Sequence, residues 1–396
     1  MTGEADAAVA WSAIAEPGDV QAAWLVAMLG HAGALAWVTH ARDDRGAALA
    51  ALTAEPWRIE KVMAAHGRWA PRLVGSRPEA LRERAARVGA RVLARGEPGW
   101  PSALAGVPLG EPHALWIRGD VDLDAAWGGS IAIVGARAAT AYGEHIAAEI
   151  AAIAADRGFA VISGGAFGID AAAHRGALAA GGETLAVLAG GVDHLYPAGN
   201  SMLLARVIDA GAVVSEVPPG FAPHRSRFLT RNRLIAAARA TVVVEAGVRS
   251  GALSTARHAG EMARPVGAVP GPLTSASSAG CHRLVRDGEA TLLARPADAL
   301  ELALPIGQEA EPEVAPGGPD FGSAHERQAY GAIPPRGAPA DAVGLAAGLA
   351  PKELAAALRG LRGRGLARVS RGIWTRVAEG DRPDKKDNLL QTRSES

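Results

Sequence analysis

Residues 130–170 read SIAIVGARAATAYGEHIAAEIAAIAADRGFAVISGGAFGID. A short β-branched run, 131–134, stops at Gly135. An alanine-rich stretch without proline, 143–155, follows, and a second β-branched run at 160–162 ends in another glycine cluster. A strand that turns on glycine into a helix and returns as a strand is the repeating unit of a parallel sheet.

Working outward, apolar runs of strand length recur at 185–188, 212–214, 241–244 and 265–269, with helix-forming stretches at 171–180 and 254–262. Strands alternating with helices predict an α/β fold with a mostly parallel sheet covered on both faces. This block ends near residue 303. Ahead of it, residues 1–75 read as helical, 78–95 is compatible with one more helix, and 96–120 reads as an extended connector rich in Gly, Pro and Trp. Behind it, 309–320 is acidic and rich in Pro and Gly, a linker in composition. Residues 324–376 then make a small unit of two to three helices closing in two strands. The expected division is a helical domain (1–75), an α/β domain (76–303), a linker (304–320), a small terminal domain (321–377) and a polar flexible tail (378–396).

The chain has 396 residues, 49% hydrophobic and 21% charged, which is ample material for packed cores and argues against global disorder. Lys+Arg and Asp+Glu are both 41, which excludes a uniformly basic coat for nucleic acid but leaves room for a local basic groove. Lysine occurs only at positions 61, 352, 385 and 386, so nearly all the basic charge is arginine. The single cysteine, Cys281, excludes an intramolecular disulfide and a cysteine metal cluster. Four acids and no base among the first twenty residues are the wrong charge for an export signal, and the apolar run 22–38 is interrupted by Gly30, His31 and Gly33. A soluble, cytoplasmic protein with no membrane partner is expected.

In an open α/β sheet, ligands sit beyond the carboxyl ends of the strands. The first such end is Gly135-Ala136-Arg137, which is not the G-x-G-x-x-G of a dinucleotide site and has no acid placed for a ribose. Its glycine lets backbone approach an anion and Arg137 is placed to pair with it; a tight turn beside a solvated arginine is the alternative. The second end, Ser163-Gly164-Gly165-Ala166-Phe167-Gly168, suggests a backbone cradle for an anion, with Phe167 either stacking on a base or tucked under the next helix. Asp170 and His174, four apart, share a helix face but lack a third metal ligand or a nucleophile. They read as a helix-start acid beside a hydrogen-bonded histidine. The most distinctive segment, His224-Arg225-Ser226-Arg227-Phe228-Leu229-Thr230-Arg231-Asn232-Arg233, interleaves four arginines with a phenylalanine. Charge for phosphates and a ring for bases are what single-stranded nucleic acid needs. A third glycine turn carries Ser250 and Gly251. Three such turns and an arginine run at one sheet edge point to nucleic acid.

These residues carry a resemblance. IVGAR at 133–137, SGGAFGIDAAAH at 163–174, YP at 196–197, SEVPPG at 215–220, RNR at 231–233, SGALSTA at 250–256 and AVPG at 268–271 resemble, in one order and spacing, the DNA-processing protein A family (DprA or Smf). The resemblance implies an extended Rossmann-like domain with an N-terminal helical domain and a C-terminal winged helix. It implies a homodimer that binds single-stranded DNA and hands it to a RecA-type recombinase in natural transformation. The implied DNA pocket is Gly135, Ala136, Arg137, Ser163, Gly164, Gly165, Phe167, Arg231, Asn232 and Arg233, to which the third turn adds Ser250 and Gly251. No catalytic residue, metal or cofactor comes with it. The chain departs from the family at Ala136 (commonly serine), Phe167 (commonly arginine or lysine) and Leu229 (commonly proline). Six arginines without an acid between residues 359 and 376 suggest that the winged helix touches duplex DNA, with protein docking as the alternative. The competing function is that of a Rossmann-like enzyme cleaving nucleoside monophosphates. Such enzymes carry P-G-G-x-G-T with a nearby glutamate, where this chain reads EAGVRSG at 245–251.

Overall fold

The computed structural model describes residues 3–52, 55–304 and 321–377. Most of the expected linker and all of the expected tail lie outside the described residues. The chain divides into two compact units, Met1–Glu311 and Pro312–Ser396.

The first unit is built on a nine-stranded sheet. Its strands are β1 (Arg91–Ala94), β2 (Ala114–Arg118), β3 (Ser130–Val134), β4 (Ala160–Ser163), β5 (Thr184–Leu188), β6 (Ala212–Ser215), β7 (Ala240–Val243), β8 (Val266–Ala268) and β9 (Thr291–Leu292). They lie in the order β1-β2-β6-β5-β4-β3-β7-β8-β9. Neighbours from β6 through to β9 are parallel, while β1 and β2 add an antiparallel edge beside β6.

β3 to β7 are buried at every position. Alternate side chains serve opposite layers. Ile131 and Ile133 join one core with Ala147, Ile150 and Ala173; Ala132 and Val134 join the other with Leu234, Ala252 and Trp127. Each such valine or isoleucine contributes about 1.5–3 kcal/mol on full burial, so these strands are fixed by packing on both faces.

Two sequence expectations are corrected. The predicted helix over 78–95 ends at Arg87, turns through Gly89 at φ 67°, and Arg91–Ala94 continues as β1. The predicted connector over 96–120 contains β2, whose Trp116 is fully buried and donates to Ser12 Oγ at 3.2 Å. That bond also ties in the N-terminal helices. In the Glu4–Ile14 helix, Ala10, Trp11 and Ile14 face the helical core, while Ala8, Val9 and Ala13 pack with Trp116, Leu188 and Leu204 of the sheet unit. Residues 1–75 therefore share a core with the sheet. The apolar helix Val20–Asp43 is long enough to span a bilayer, but Gly30 leaves helical geometry at φ 71°, ψ 170° and eight of its residues are buried inside the unit.

In the second unit, helices Ala324–Ala332, Ala340–Ala347 and Pro351–Gly363 pack on a small sheet of β10 (Ala338–Pro339), β11 (Ala367–Ser370) and β12 (Ile373–Arg376), ordered β10-β12-β11. Leu354, Leu358 and Leu361 form its core with Ile333 and Val343.

Candidate nucleic-acid interface

From β3 to β6 successive strands step one way across the sheet, and β7 returns to the far side of β3. The reversal lies between β3 and β7, and such a switch point opens a crevice at the strands' carboxyl ends. The crossover from β6 to β7 carries the helix Arg225–Ile235, which forms one wall. A cleft of about 280 Å³ lies there, lined among others by Gly135 and Arg137, Arg231 and Asn232, and Ser250 and Gly251. Residues from three segments that the sequence singles out separately thus meet at one place.

The two cleft arginines differ. Arg137 is exposed, and its guanidinium lies 5.1 Å from the centroid of the Phe228 ring. Arg231 is 6% exposed; its Nη1 donates to Val187 O, and its Nε has no partner although it is buried. Burial pulls its guanidinium down to about 10, against the pull of Asp170 and with that of Arg137, so it stays charged at neutral pH. A fixed, charged guanidinium in the cleft wall makes the cleft favourable to an anion through its field. Asn232 donates Nδ2 to Gly251 O at 3.2 Å, tying the helix to the turn after β7.

The loop after β4 behaves differently from its sequence expectation. Its amides do not form an open cradle: Gly164 N and Ala166 N donate to Asp170 Oδ2 at 3.2 and 3.3 Å. The cradle holds an anion of the chain's own. Burial pushes the Asp170 carboxyl up, while Arg231 and these amides pull it back. A Cβ at Gly164 would overlap the Arg231 guanidinium, and Gly168, at φ 73°, lets the turn after β3 lie against the loop at Ala136 and Arg137. Ile169 N then donates to Ala136 O at 3.2 Å. Ala136 therefore braces the turn through its backbone.

Ala136 and Gly164 do not line the cleft, and four more predicted contact residues are placed away from it. Ser163 is fully buried and spends its hydroxyl on Ile133 O at 2.7 Å. Gly165 is buried under Leu204. Arg233 is fully buried and donates to Glu216 Oε1 at 2.6 Å, an internal ion pair. Phe167 is 49% exposed, so it is not tucked under the helix, yet it lies beside Gly199 outside the cleft lining. Asp170 and His174 do not bond each other; His174 Nδ1 bonds Thr184 Oγ1 at 2.7 Å. Further residues beyond the predicted contact set line the cleft, among them Leu229 and Phe228, the ring of the arginine run. Phe228 sits three residues before Arg231, a spacing that puts both on one helix face. Its ring is 5.6 Å from that of Tyr196, which is 48% exposed.

Glu245, the acid that opens the EAGVRSG segment after β7, is bound up in structure. Its carboxylate accepts from Thr140 N at 2.9 Å and Thr140 Oγ1 at 2.7 Å, and it is 4% exposed.

Comparison with known proteins follows the same lines. A putative DNA processing protein DprA of Mycobacterium tuberculosis is 49% identical over 301 residues, covering 73% of this chain and 77% of the relative. The DNA processing protein DprA of Streptococcus pneumoniae is 38% identical over 178 residues, covering 45% of this chain and 62% of the relative. The X-ray structure of DNA processing protein A from S. pneumoniae superposes with a TM-score of 0.55 at 28% identity, covering 67% of this chain and 90% of that one. The family model for DNA recombination-mediator protein A matches residues 91–303, the whole of the nine-stranded sheet with its cleft, and the chain belongs to that family.

Proposed function

We propose that the protein binds single-stranded DNA in the cleft between β3 and β7 and delivers it to a RecA-type recombinase, without catalysing a reaction on it. The observation that carries this reading is the row Tyr196–Phe228–Arg137 leading to Arg231: an exposed and a half-buried ring for bases, then an exposed and a buried cation for phosphates. Stacking and phosphate contacts together suit a single strand, whose bases are free to unstack. The contact set is Gly135, Arg137, Arg231, Asn232, Ser250 and Gly251, with Phe228 added and Phe167 as an outlying stacking ring. Against turnover stands Glu245, whose carboxylate is spent on Thr140. Homodimerisation, a cytoplasmic setting and a role in natural transformation complete the proposal by family kinship.

The test is binding of labelled single- and double-stranded DNA of one sequence across a salt series, alongside hydrolysis of nucleoside monophosphates. The proposal expects preference for the single strand, affinity that falls with salt, and no hydrolysis. Turnover without strand binding would favour the phosphoribohydrolase-like reading.

A second contact belongs to the small unit, read here as a winged helix. Residues 321–377 hold nine Lys or Arg against three acids. Lys352, Arg359 and Arg362 project from the exposed side of the Pro351–Gly363 helix. The β11–β12 register leaves Arg371-Gly372 as a two-residue turn with φ of 50° and 78°. An arginine in left-handed backbone costs roughly 1–2 kcal/mol, and here it sets an exposed cation at the hairpin tip. A helix for a groove and a basic tip for backbone suit duplex DNA.

A further inference from the structure

The Arg225–Ile235 helix has two lined faces. Phe228, Arg231 and Asn232 line the cleft, while Ser226, Arg227 and Thr230 line a second groove of about 540 Å³. The opposite wall of that groove is the turn at Glu16–Asp19 and the helix Pro56–Trp69, which supplies Lys61 and Arg68.

Both carboxylates in the groove are already engaged. Glu16 accepts from Arg72 Nη2 at 2.8 Å, from Arg227 Nε at 2.8 Å and from Arg227 Nη2 at 2.9 Å. Burial pushes its carboxyl up, but these two arginines hold it down at about 2. Asp19 accepts from Gln21 N and Ala22 N on one oxygen, and from Arg68 Nη2 and Trp69 Nε1 on the other, both at 3.0 Å. Arg68 is left exposed with donors to spare, since a guanidinium carries five N–H groups. Lys61 has no carboxylate partner among the described residues. Its Nζ lies 4.9 Å from the centroid of the half-exposed Trp57 ring, which also holds the Arg58 guanidinium at 4.6 Å. With the acids matched, the uncompensated charge of the groove is positive.

We propose that this groove extends the DNA path: the backbone of a strand seated in the cleft crosses the exposed ridge at Leu229 and runs along Lys61 and Arg68. The inference rests on the single-strand reading of the cleft. One helix separates the two sites, a width of about 10 Å, so the polymer that fills the first reaches the second. Continuity with the cleft favours the same polyanion over a separate acidic partner. Trp57 braces Lys61, which lowers the ordering cost of placing that long cation on a phosphate.

The full chain carrying Lys61→Glu, Lys61→Arg or Arg137→Ala is titrated with oligothymidylates of roughly six and roughly twenty nucleotides, spanning the site sizes of such grooves. Lys61 is exposed, so neither change at that position disturbs the core. Lys61→Glu is expected to weaken the longer strand several-fold and to flatten its salt slope by ~0.7, leaving the shorter strand unchanged; Lys61→Arg restores both. Unchanged binding of the longer strand, or equal weakening of both lengths, overturns the extended path. In that event the cleft reading stands if Arg137→Ala still weakens both strands, and falls if it weakens neither.

Discussion

Arg137, Arg231 and Arg233 show how one residue type takes three roles. Arg137 is free at the cleft mouth, Arg231 is clamped in its wall, and Arg233 is sealed in an ion pair with Glu216. In a helix, positions 231 and 233 point about 200° apart, so the two cannot serve the same cleft. The helical period alone separates them, and it also groups Phe228 with Arg231. What the sequence conceals is Asp170: an aspartate at a helix start looks the same whether it faces water or fills a glycine loop. Phe167 is likewise settled only by packing. Because it is half exposed, Phe167→Ala should move stability by no more than about 0.5 kcal/mol. If its ring takes a base, the same change costs ~1–3 kcal/mol of single-strand binding. Thermal melts beside binding titrations measure both. A melt lowered as for a core phenylalanine contradicts the placement.

Three imidazoles set an acid limit at the same scale. Burial pushes His31 down to about 4 and His113 and His174 down to about 3, from an ordinary value of 6.5. The His31 and His113 rings share one hydrogen bond at 3.2 Å, which needs at least one of them neutral. The unfolded chain takes up protons on these groups at a higher pH than the folded chain. Their contribution is therefore whole above about pH 6.5 and is lost as pH falls from there toward 3–4. Glu16, held at about 2, works in the same direction between about 4.5 and 2. Urea unfolding followed from about pH 7 to about pH 5 should show a falling free energy, before most carboxylates titrate. A flat profile over that range contradicts the buried neutral histidines.

At the scale of elements, the parallel strands were legible and the antiparallel edge was not. β3 to β8 match apolar runs to within about one residue, because burial on both faces demands unbroken Val, Ile and Ala. β1 and β2 mix arginine, tryptophan and leucine beside glycine and proline, so their local pattern resembles a connector; pairing of β2 with β6, and of β1 with β2, decides them. The β4 loop was legible as glycine-rich but not in purpose, since its amides serve Asp170. That loop carries a sharp expectation. Gly164→Ala puts a methyl into the Arg231 guanidinium, so it should cost ~1–3 kcal/mol of stability and weaken single-strand binding together with it. Chemical denaturation and strand titration of the variant test this; full binding with full stability would mean that Arg231 is not held against the loop.

Across the whole molecule, charge is distributed unevenly although it sums to zero. The unit at 321–377 is strongly basic, so the rest of the chain is acidic on balance. Residues 1–304 are close to neutral, with 28 Lys or Arg against 29 acids, so the cleft's cations act locally while the basic unit offers a separate contact. The two compact units argue for separable roles. A chain ending near Glu309 should stay folded, keep its single-strand affinity, and lose whatever duplex affinity the full chain has. Circular dichroism with strand and duplex titrations checks it. A folded truncation that no longer binds single strands would move the site partly into the terminal unit.

The central claim is that the crevice between β3 and β7 holds the phosphates of a single strand. Its most direct test is the salt dependence of oligothymidylate affinity in the intact chain and in Arg137→Ala, where an exposed side chain is removed without touching the core. The account predicts weaker binding at every sequence alike and a salt slope shallower by ~0.7, the share of the single phosphate that Arg137 would neutralise. Identical affinity and identical slope in the two proteins would contradict it.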